Sequence, residues 1–205
     1  MLVIGLTGGI GTGKSLVSRI LEELGAAVVD ADRVGHEAYT PHTVVWREVV
    51  EAFGEAIVGP EGEIDRKRLG SIVFGDPAEM AKLNGIMHPR MAEMIHQRVQ
   101  ELDRQGVQVV VVEAAVLVDA GWDRLPWIDQ VWVTNSPEQL VVERLGLRNN
   151  LPEEEALKRV RSQLSFDERS RSADVMLENS GSTEELEQQV RSLWGSRVKG
   201  KVSSV

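Results

Sequence analysis

The chain of 205 residues contains no cysteine. Disulfides, thiolate metal ligands and a thiol nucleophile are therefore excluded. The chain also lacks any apolar run approaching the roughly 18 residues that a transmembrane helix requires. Its first residues, MLVIG, are typical of a strand, and we expect no signal peptide. Together these features predict a cytoplasmic protein that has no membrane partner.

The chain has few basic residues for its acidic ones: 23 Lys and Arg and 32 Asp and Glu give a net charge of −9. A general nucleic-acid binder needs a basic face for its phosphate contacts. We therefore expect no nucleic-acid partner. The apolar fraction of 42% is ordinary for a globular protein, and the length suits one α/β domain with inserted subdomains.

Residues 5–15, GLTGGIGTGKS, lie between a β-branched run and a segment with apolar residues at helical spacing. Gly8, Gly13, Lys14 and Ser15 match G-x-x-x-x-G-K-[ST], the phosphate-binding loop. Glycines let backbone N–H groups converge on an anion, and the following helix directs its N-terminal N–H groups at the same point. We expect Lys14 to contact the β- and γ-phosphates of a nucleoside triphosphate, and Ser15 to ligate Mg²⁺. A dinucleotide-binding loop is disfavoured, because Lys14 stands where its third glycine would fall.

Downstream of the loop, apolar runs alternate with helical patterns. The run over 107–116 is almost entirely apolar, which is typical of a central strand covered on both faces. This alternation behind a phosphate loop predicts an α/β fold, a three-layer doubly wound parallel sheet of the phosphate-loop kinase type. His88 and Pro89 are expected to interrupt a helix. The predicted parts of the single domain, 1–195, are a core (1–32, 106–143, 172–195), a helical insertion (about 33–105) and a helical lid (about 144–171), followed by a flexible tail (196–205).

Two carboxylates, Asp30 and Asp32, fall at the carboxyl end of the second predicted strand, where ligands bind in such sheets. A carboxylate there could take a proton from a hydroxyl acceptor or hold Mg²⁺ through water. Either aspartate could instead cap a helix, and position alone does not separate these roles. Asp32 and Gly35 also fit the D-x-x-G motif of a GTPase. The chain has no Asn-Lys-x-Asp motif that would read guanine, so we treat this match as chance.

An arginine-rich segment, 144–171, stands out in the otherwise acidic chain. Arginines position phosphates and stabilise their charge during phosphoryl transfer, so the segment is predicted to form a lid over the nucleotide. Acidic residues interleave with the basic ones, and a solvated, salt-bridged helix is the alternative for any single arginine. The basic residues of the segment are Arg144, Arg148, Lys158, Arg159, Arg161, Arg169 and Arg171.

These motifs, in this order, resemble the dephospho-coenzyme A kinase family over nearly the whole chain. Besides the loop, the resemblance rests on VVDADRVGHEAYTP, GEIDRKRLGSIVF, LNGIMHPRM and RLGLRNNLPEEEALKRVRSQLSFDERSRSADVMLENSGS. It implies transfer of the γ-phosphate of ATP to the ribose 3′-hydroxyl of dephospho-CoA, the last step of coenzyme A synthesis. The expected partners are ATP and dephospho-CoA, the expected metal is Mg²⁺, and the expected state is a monomer.

The resemblance also implies roles on the nucleotide side. Lys14 and Arg148 would take part in catalysis, Arg144 and Arg148 would contact the ATP phosphates, and Asn179 with Gly181 would border the adenine. Ser15 and Asp30 are the expected metal ligands. The full set of expected nucleotide-binding residues is Gly8, Gly9, Gly11, Thr12, Gly13, Lys14, Ser15, Leu16, Arg144, Arg148, Asn179 and Gly181.

On the acceptor side, the resemblance implies that Asp32 is the base facing the 3′-hydroxyl and that Asp30 supports it or the metal. The helical insertion would bind dephospho-CoA. The expected acceptor-binding residues are Asp32, His36, Arg66, His88, Pro89 and Asp119.

The sequence departs from the family pattern at four positions. Asp119 stands where a glutamate is frequent, Asn149 where an aspartate is common, Arg169 where a lysine is usual, and Leu16 where a threonine is frequent. None of them lies among the loop glycines or in the aspartate pair, so we expect an active enzyme. The alternatives are a kinase of another small hydroxylated acceptor, such as a nucleoside, and a non-catalytic nucleotide-binding switch.

Overall fold

A five-stranded sheet forms the centre of the computed structural model, which describes residues 1–198. The strands are β1 (Leu2–Gly8), β2 (Ala27–Asp30), β3 (Val109–Glu113), β4 (Gln130–Asn135) and β5 (Val175–Glu178). Their order is β2-β3-β1-β4-β5, and β1 pairs in parallel with both β3 and β4. The sheet is parallel with helices on both sides, which confirms the predicted fold class.

The helices in the described residues follow the predicted alternation. They are α1 (Lys14–Glu23), α2 (Ala31–Ala38), α3 (Val44–Phe53), α4 (Arg66–Val73), α5 (Pro77–Arg104), α6 (Glu138–Asn149), α7 (Glu153–Arg161), α8 (Phe166–Ser170) and α9 (Thr183–Leu193). Short helical turns occur at Glu55–Ile57, Trp122–Arg124 and Trp194–Val198. The segment predicted as a lid, about 144–171, begins inside α6 and contains α7 and α8.

The chain divides into two compact units, one of which is Asp30–Arg98. The other contains Met1–Val29 and the chain from Val99 onward. The predicted insertion over 33–105 is close to the first of these units. The insertion was predicted to end at about 105, whereas this unit ends at Arg98, inside the continuous helix α5.

The central strand β1 explains why the phosphate loop has a rigid base. All seven of its residues are buried. Ile4 and Leu6 are fully buried, and Ile4 pairs with Val111 of β3 on one side and with Gln130 of β4 on the other. A parallel strand covered on both faces by helices must be apolar on both faces. The loop therefore begins from a strand that is fixed on every side.

The helix α5 continues through Pro89, so the predicted interruption at His88 and Pro89 is wrong. A proline inside a helix costs about 3 kcal/mol. The buried side chains of Leu83, Met87 and Met91 recur every four residues and pack one face of the helix. Each such side chain contributes about 1.5–3 kcal/mol on burial, so packing outweighs the proline. Although α5 has 28 residues, no helix in the described part of the chain is long and apolar enough to span a membrane.

The C-terminal end of the core lies further along the chain than predicted. Trp194–Val198 form a π-helical turn after α9, and Val198 is 1% exposed within the main core cluster. Residues 196–198, which belong to the predicted tail, thus form the end of this turn. The rest of the predicted tail, 199–205, lies outside the described residues.

Candidate active site

Two glycines of the phosphate loop are required by close contacts. A Cβ at Gly8 would lie 2.1 Å from Thr134 Oγ1, and one at Gly13 would lie 2.4 Å from Asn179 Nδ2. Gly13 also has a φ of 103°, a left-handed conformation that disfavours L side chains, and it caps the start of α1. The loop therefore packs its backbone directly against the ends of β4 and β5. These contacts explain why glycine occupies both positions.

Hydrogen-bonded threonine hydroxyl groups connect the loop to the sheet. Thr12 Oγ1 donates to the carbonyl of Gly9 at 2.8 Å and lies 2.7 Å from Thr134 Oγ1. Thr134 Oγ1 in turn donates to the carbonyl of Thr7 at 3.3 Å. All three threonines are buried. Thr12, predicted to bind the nucleotide, thus uses its side chain to shape the loop.

Lys14 bridges the loop with its side chain. Its Nζ donates to the carbonyls of Gly8 at 2.9 Å and Gly9 at 3.1 Å. The ammonium group is thereby held against the loop at the start of α1. Leu16, also predicted to touch the nucleotide, packs its side chain against the core cluster, and its N–H donates to Gly13 O at 3.0 Å. The structure therefore gives Leu16 a packing role.

Ser15 contacts a carboxylate that sequence reasoning missed. Ser15 Oγ donates to Glu113 Oε1 at 3.1 Å, and Ser18 Oγ donates to Glu113 Oε2 at 2.6 Å. Glu113 is the last residue of β3. The available signal was a carboxylate among the apolar residues over 107–116, at a strand end where ligands bind. A hydroxyl and a carboxylate together provide oxygen ligands of the kind that Mg²⁺ prefers.

Asp30 caps a helix in the structure. Its Oδ1 accepts hydrogen bonds from the backbone N–H groups of Asp32 at 2.8 Å and Arg33 at 3.2 Å, at the start of α2. The capping alternative thus accounts for Asp30. Asp32 lies in the first turn of the same helix with an exposed side chain. The two neighbouring aspartates are therefore placed differently by the helix that begins between them.

The unit Asp30–Arg98 contains a cavity of about 390 Å³, which brings together Asp32, His36 and Arg66. His36 Nδ1 lies 2.6 Å from the carbonyl of Asp32, one helical turn away. The Arg66 guanidinium lies 5.7 Å from the ring centroid of Tyr39. Burial raises the pKa of Tyr39, and the charge of Arg66 offsets this in part. The apolar remainder of the lining is Leu69, Val73, Phe74, Leu83 and Met91.

Three residues predicted to bind the acceptor lie outside that lining. His88 and Pro89 belong to the continuous helix α5, and neither lines the cavity. Asp119 belongs to the other unit, in the segment between β3 and the turn at Trp122–Arg124. The cavity thus contains half of the predicted acceptor-binding set.

Arg144 braces the nucleotide side of the site. Its guanidinium donates to Ser136 Oγ at 2.9 Å and to the carbonyls of Asn179 at 3.0 Å and Gly11 at 3.4 Å. Asn179 Nδ2 donates to the carbonyl of Thr12 at 3.0 Å. Arg144 and Asn179 therefore fix the loop to β4 and β5. Their hydrogen bonds to protein atoms support a positioning role for both.

Arg148 lies one helical turn beyond Arg144 and is exposed in the last turn of α6. It lines a cavity of about 630 Å³ that also includes Ile10 and Gly11 of the loop. Gly181 faces a different constraint, because a Cβ there would lie 1.6 Å from Glu185 Oε2 in the capping box of α9. The loop and Arg148 are thus brought together, whereas Gly181 is explained by the cap.

Two arginines of the lid segment follow the solvated alternative. Arg159 pairs with Glu155 at 2.7 Å, and Arg161 pairs with Glu138 at 3.0 Å. All four side chains are about half exposed or more. Such surface pairs contribute little to stability. For these residues, the sequence pattern of interleaved charge reflects a salt-bridged helix surface.

Comparisons with known proteins identify relatives that match nearly the whole chain. The family model for dephospho-CoA kinase matches residues 2–185. The dephospho-CoA kinase of Geobacter sulfurreducens is 44% identical over 198 residues, which cover 96% of this chain and 99% of the relative. A crystal structure of a Thermus thermophilus protein has a TM-score of 0.77 at 32% identity, covering 96% of this chain and 97% of that one. The solved structure of the Campylobacter jejuni dephospho-CoA kinase has a TM-score of 0.72 at 26% identity, covering 97% of this chain and 98% of that one. The family match over most of the chain and the relative at 44% identity show that the chain belongs to the dephospho-CoA kinase family.

Proposed function

We propose that the phosphate loop holds ATP and that the cavity beside α2 takes dephospho-CoA. The chain is a kinase of the last step of coenzyme A synthesis, in which the γ-phosphoryl group of ATP moves to dephospho-CoA. The observation that best supports ATP on the phosphate loop is the arrangement of side chains at the start of α1. There Lys14 bridges the loop and Ser15 is hydrogen-bonded to Glu113.

On the nucleotide side, the residues act by position and charge. Phosphoryl transfer demands little covalent chemistry from the protein, because catalysis depends on alignment and on stabilising charge at the phosphate oxygens. The N–H groups at the start of α1 point along the helix axis and favour an anion there. Lys14 adds a full positive charge on a flexible side chain at the same place. These groups support binding of the β- and γ-phosphates.

The residues at the loop also fit Mg²⁺. The Ser15 hydroxyl and the Glu113 carboxylate are oxygen ligands, and Mg²⁺ usually takes few protein ligands besides phosphate and water. When bound, the ion would neutralise charge on the phosphate oxygens. Ser18 holds the second oxygen of Glu113 at 2.6 Å and thereby orients the carboxylate.

On the acceptor side, Asp32 would act as the general base. Its carboxylate takes the proton of the ribose 3′-hydroxyl while that oxygen forms a bond to the γ-phosphorus. The bond between the γ-phosphorus and the bridging oxygen breaks, and ADP leaves with the electron pair. His36 and Arg66 share the cavity with Asp32 and would orient the acceptor.

Incubation with ATP, Mg²⁺ and dephospho-CoA, followed by mass spectrometry, tests the assignment. We expect coenzyme A and ADP in equal amounts. Faster phosphorylation of a nucleoside from an acceptor panel would favour the alternative kinase. ATP binding without transfer to any acceptor would favour a nucleotide-binding switch.

Replacement of Glu113 by glutamine tests the metal site. The change removes the charge but keeps the size, so we expect the Mg²⁺ concentration for half-maximal activity to rise about 10-fold or more. The matched comparison is Asp30→Asn, which retains an oxygen for the cap of α2 and should leave the Mg²⁺ requirement unchanged. The opposite pattern, a shift in Asp30→Asn alone, would return the metal role to Asp30.

Replacement of Arg148 by alanine tests the exposed arginine beside the loop. We expect kcat to fall about 10-fold while the affinity for dephospho-CoA stays the same, because the proposed partner is the ATP phosphate. Arg148→Lys should restore activity only in part, since lysine lacks the planar fork. Arg159→Ala is the control, as Arg159 is paired with Glu155. A lower melting temperature with full turnover would instead assign Arg148 to the helix surface.

We propose that the enzyme acts in the cytoplasm, which its membership of the dephospho-CoA kinase family supports. We also propose that it acts as a monomer.

A further inference from the structure

Arg169 is a buried arginine that the proposed mechanism does not use. It lies in α8 and is 5% exposed. Its Nη1 donates to the carbonyl of Leu164 at 2.5 Å. Its Nε is buried and has no hydrogen-bond partner among the described residues. A buried guanidinium with an unused donor is costly unless another group completes its interactions.

The charge of Arg169 also lacks a close partner. In the part of the chain that the structure describes, no carboxylate forms a salt bridge with it, whereas Arg159 and Arg161 each have one. Burial lowers the pKa of Arg169, and the charges of Asp119 and Glu168 act against this from a distance. A buried cation that has no counter-charge nearby lowers the stability of the fold. The site is therefore arranged to receive an anion.

The position of Arg169 identifies where that anion would lie. Together with Gly9, Ile10 and Thr12 of the phosphate loop, Arg169 lines a cavity of about 520 Å³. A Cβ placed on Gly9 would be 3.6 Å from Arg169 Nη1. The guanidinium thus lies directly beside the first turn of the loop.

A second contact holds this part of the lid against the loop. Gln163, in the segment between α7 and α8, accepts a hydrogen bond at its Oε1 from the backbone N–H of Ile10 at 2.8 Å. Because Gln163 precedes Leu164, whose carbonyl accepts from Arg169, the two contacts are linked through one short segment. The contact of Gln163 with the loop and the contact of Arg169 with Leu164 thus lie on adjacent residues.

We propose that Arg169 binds the phosphate chain of the nucleotide and that Gln163 is the positioning residue that sets Arg169 beside the loop. The inference rests on the proposed function, since it requires ATP on the phosphate loop. A planar guanidinium offers two parallel donors to phosphate oxygens, which lysine cannot. Arg169 is thus distinguished from the salt-bridged arginines on the outer surface of the lid.

Calorimetric binding of tripolyphosphate, ATP and adenosine to the full chain tests this assignment. In Arg169→Met we expect the dissociation constants for tripolyphosphate and ATP to rise about 10- to 100-fold, because a charged hydrogen-bonding group is lost. Adenosine affinity should not change. Arg159→Met, which removes an exposed lid arginine of similar size, should leave all three affinities unchanged. Equal tripolyphosphate affinity in Arg169→Met and the wild type would overturn the inference.

Further variants keep the test valid if Arg169→Met fails to fold, and they separate the role of Arg169 from the proposed nucleotide site. Arg169→Lys keeps the charge, and we expect partial recovery of tripolyphosphate affinity. Gln163→Leu should weaken tripolyphosphate binding, but no further loss should occur when it is combined with Arg169→Met, since Gln163 acts through Arg169. Additive losses would remove Gln163 from the proposal.

Weaker tripolyphosphate binding in Lys14→Ala, with wild-type binding in the Arg169 variants, would reject the inference alone. Wild-type binding in all of these variants would reject the nucleotide site itself.

Discussion

Replacement of Lys14 by alanine is expected to lower kcat about 10²–10³-fold or more while the fold is retained. The expectation follows the cost of removing one preorganised group that stabilises charge in a transition state. In the structure, Lys14 Nζ donates to the loop carbonyls of Gly8 and Gly9, and the residue lies at the start of α1. Steady-state kinetics with dephospho-CoA and ATP measure the loss, and thermal unfolding measures the stability.

The control for this prediction is Lys158→Ala, which removes an exposed lysine of α7. It should leave kcat unchanged, because Lys158 is not part of the proposed site. Near-normal turnover in Lys14→Ala would contradict the assignment of the loop. Equal losses in both variants would indicate a general effect of net charge, which a titration with salt would then reveal.

Replacement of Asp32 by asparagine is expected to lower kcat about 10²–10⁴-fold, the usual contribution of a general base. Asparagine is nearly the same size but cannot accept the proton of the hydroxyl group. The backbone N–H of Asp32, which donates to Asp30 Oδ1, is unaffected, so α2 should remain capped. Binding of ATP should change little, since the phosphate loop is intact. Rapid-quench measurements of the first turnover would show that the chemical step is slowed.

The matched comparison for Asp32 is Asp30→Asn, the same substitution two residues earlier. Asparagine can still accept the hydrogen bonds of the cap, so we expect only a small change in unfolding free energy and in kcat. Full turnover in Asp32→Asn would show that the base is another group. A large loss in Asp30→Asn with none in Asp32→Asn would exchange the two roles.

The phosphate loop and the sheet could be predicted because they depend on local patterns. Gly8, Gly13, Lys14 and Ser15 are read as a motif, since the loop is short and each residue type has a separate physical reason to be there. The run over 107–116 indicates a strand that is buried on both faces. The alternation of strands and helices then leaves few parallel arrangements to consider.

The helical insertion predicted over about 33–105 lies close to the unit Asp30–Arg98, but the interior of that unit could not be predicted. The sequence places Asp32 and His36 one turn apart on a helix, whereas Arg66 joins them in one cavity only through the packing of α4. His88 and Pro89 looked like a break, because proline is costly inside an isolated helix. The buried face of α5 supplies the free energy that offsets this cost, and that energy depends on neighbours that are distant in sequence.

Several roles in the site were decided by tertiary structure alone. Asp30 and Asp32 have the same side chain, and only the start of α2 makes the first a cap. Arg144, Arg161 and Arg169 belong to one basic segment, yet the first braces the loop, the second pairs with Glu138 and the third is buried without a carboxylate partner among the described residues.

By itself, then, the sequence determined the family, the phosphate loop and the order of strands and helices. These follow from residue type and spacing within short segments. The tertiary structure decided which carboxylate accompanies Ser15, since Glu113 reaches it only because β3 lies beside β1. It also decided which arginines lie at the loop and which pair with carboxylates, because that depends on how the segment 144–171 packs. A charged side chain binds according to the partners within about 4 Å and its exposure to water, and both are properties of the folded chain.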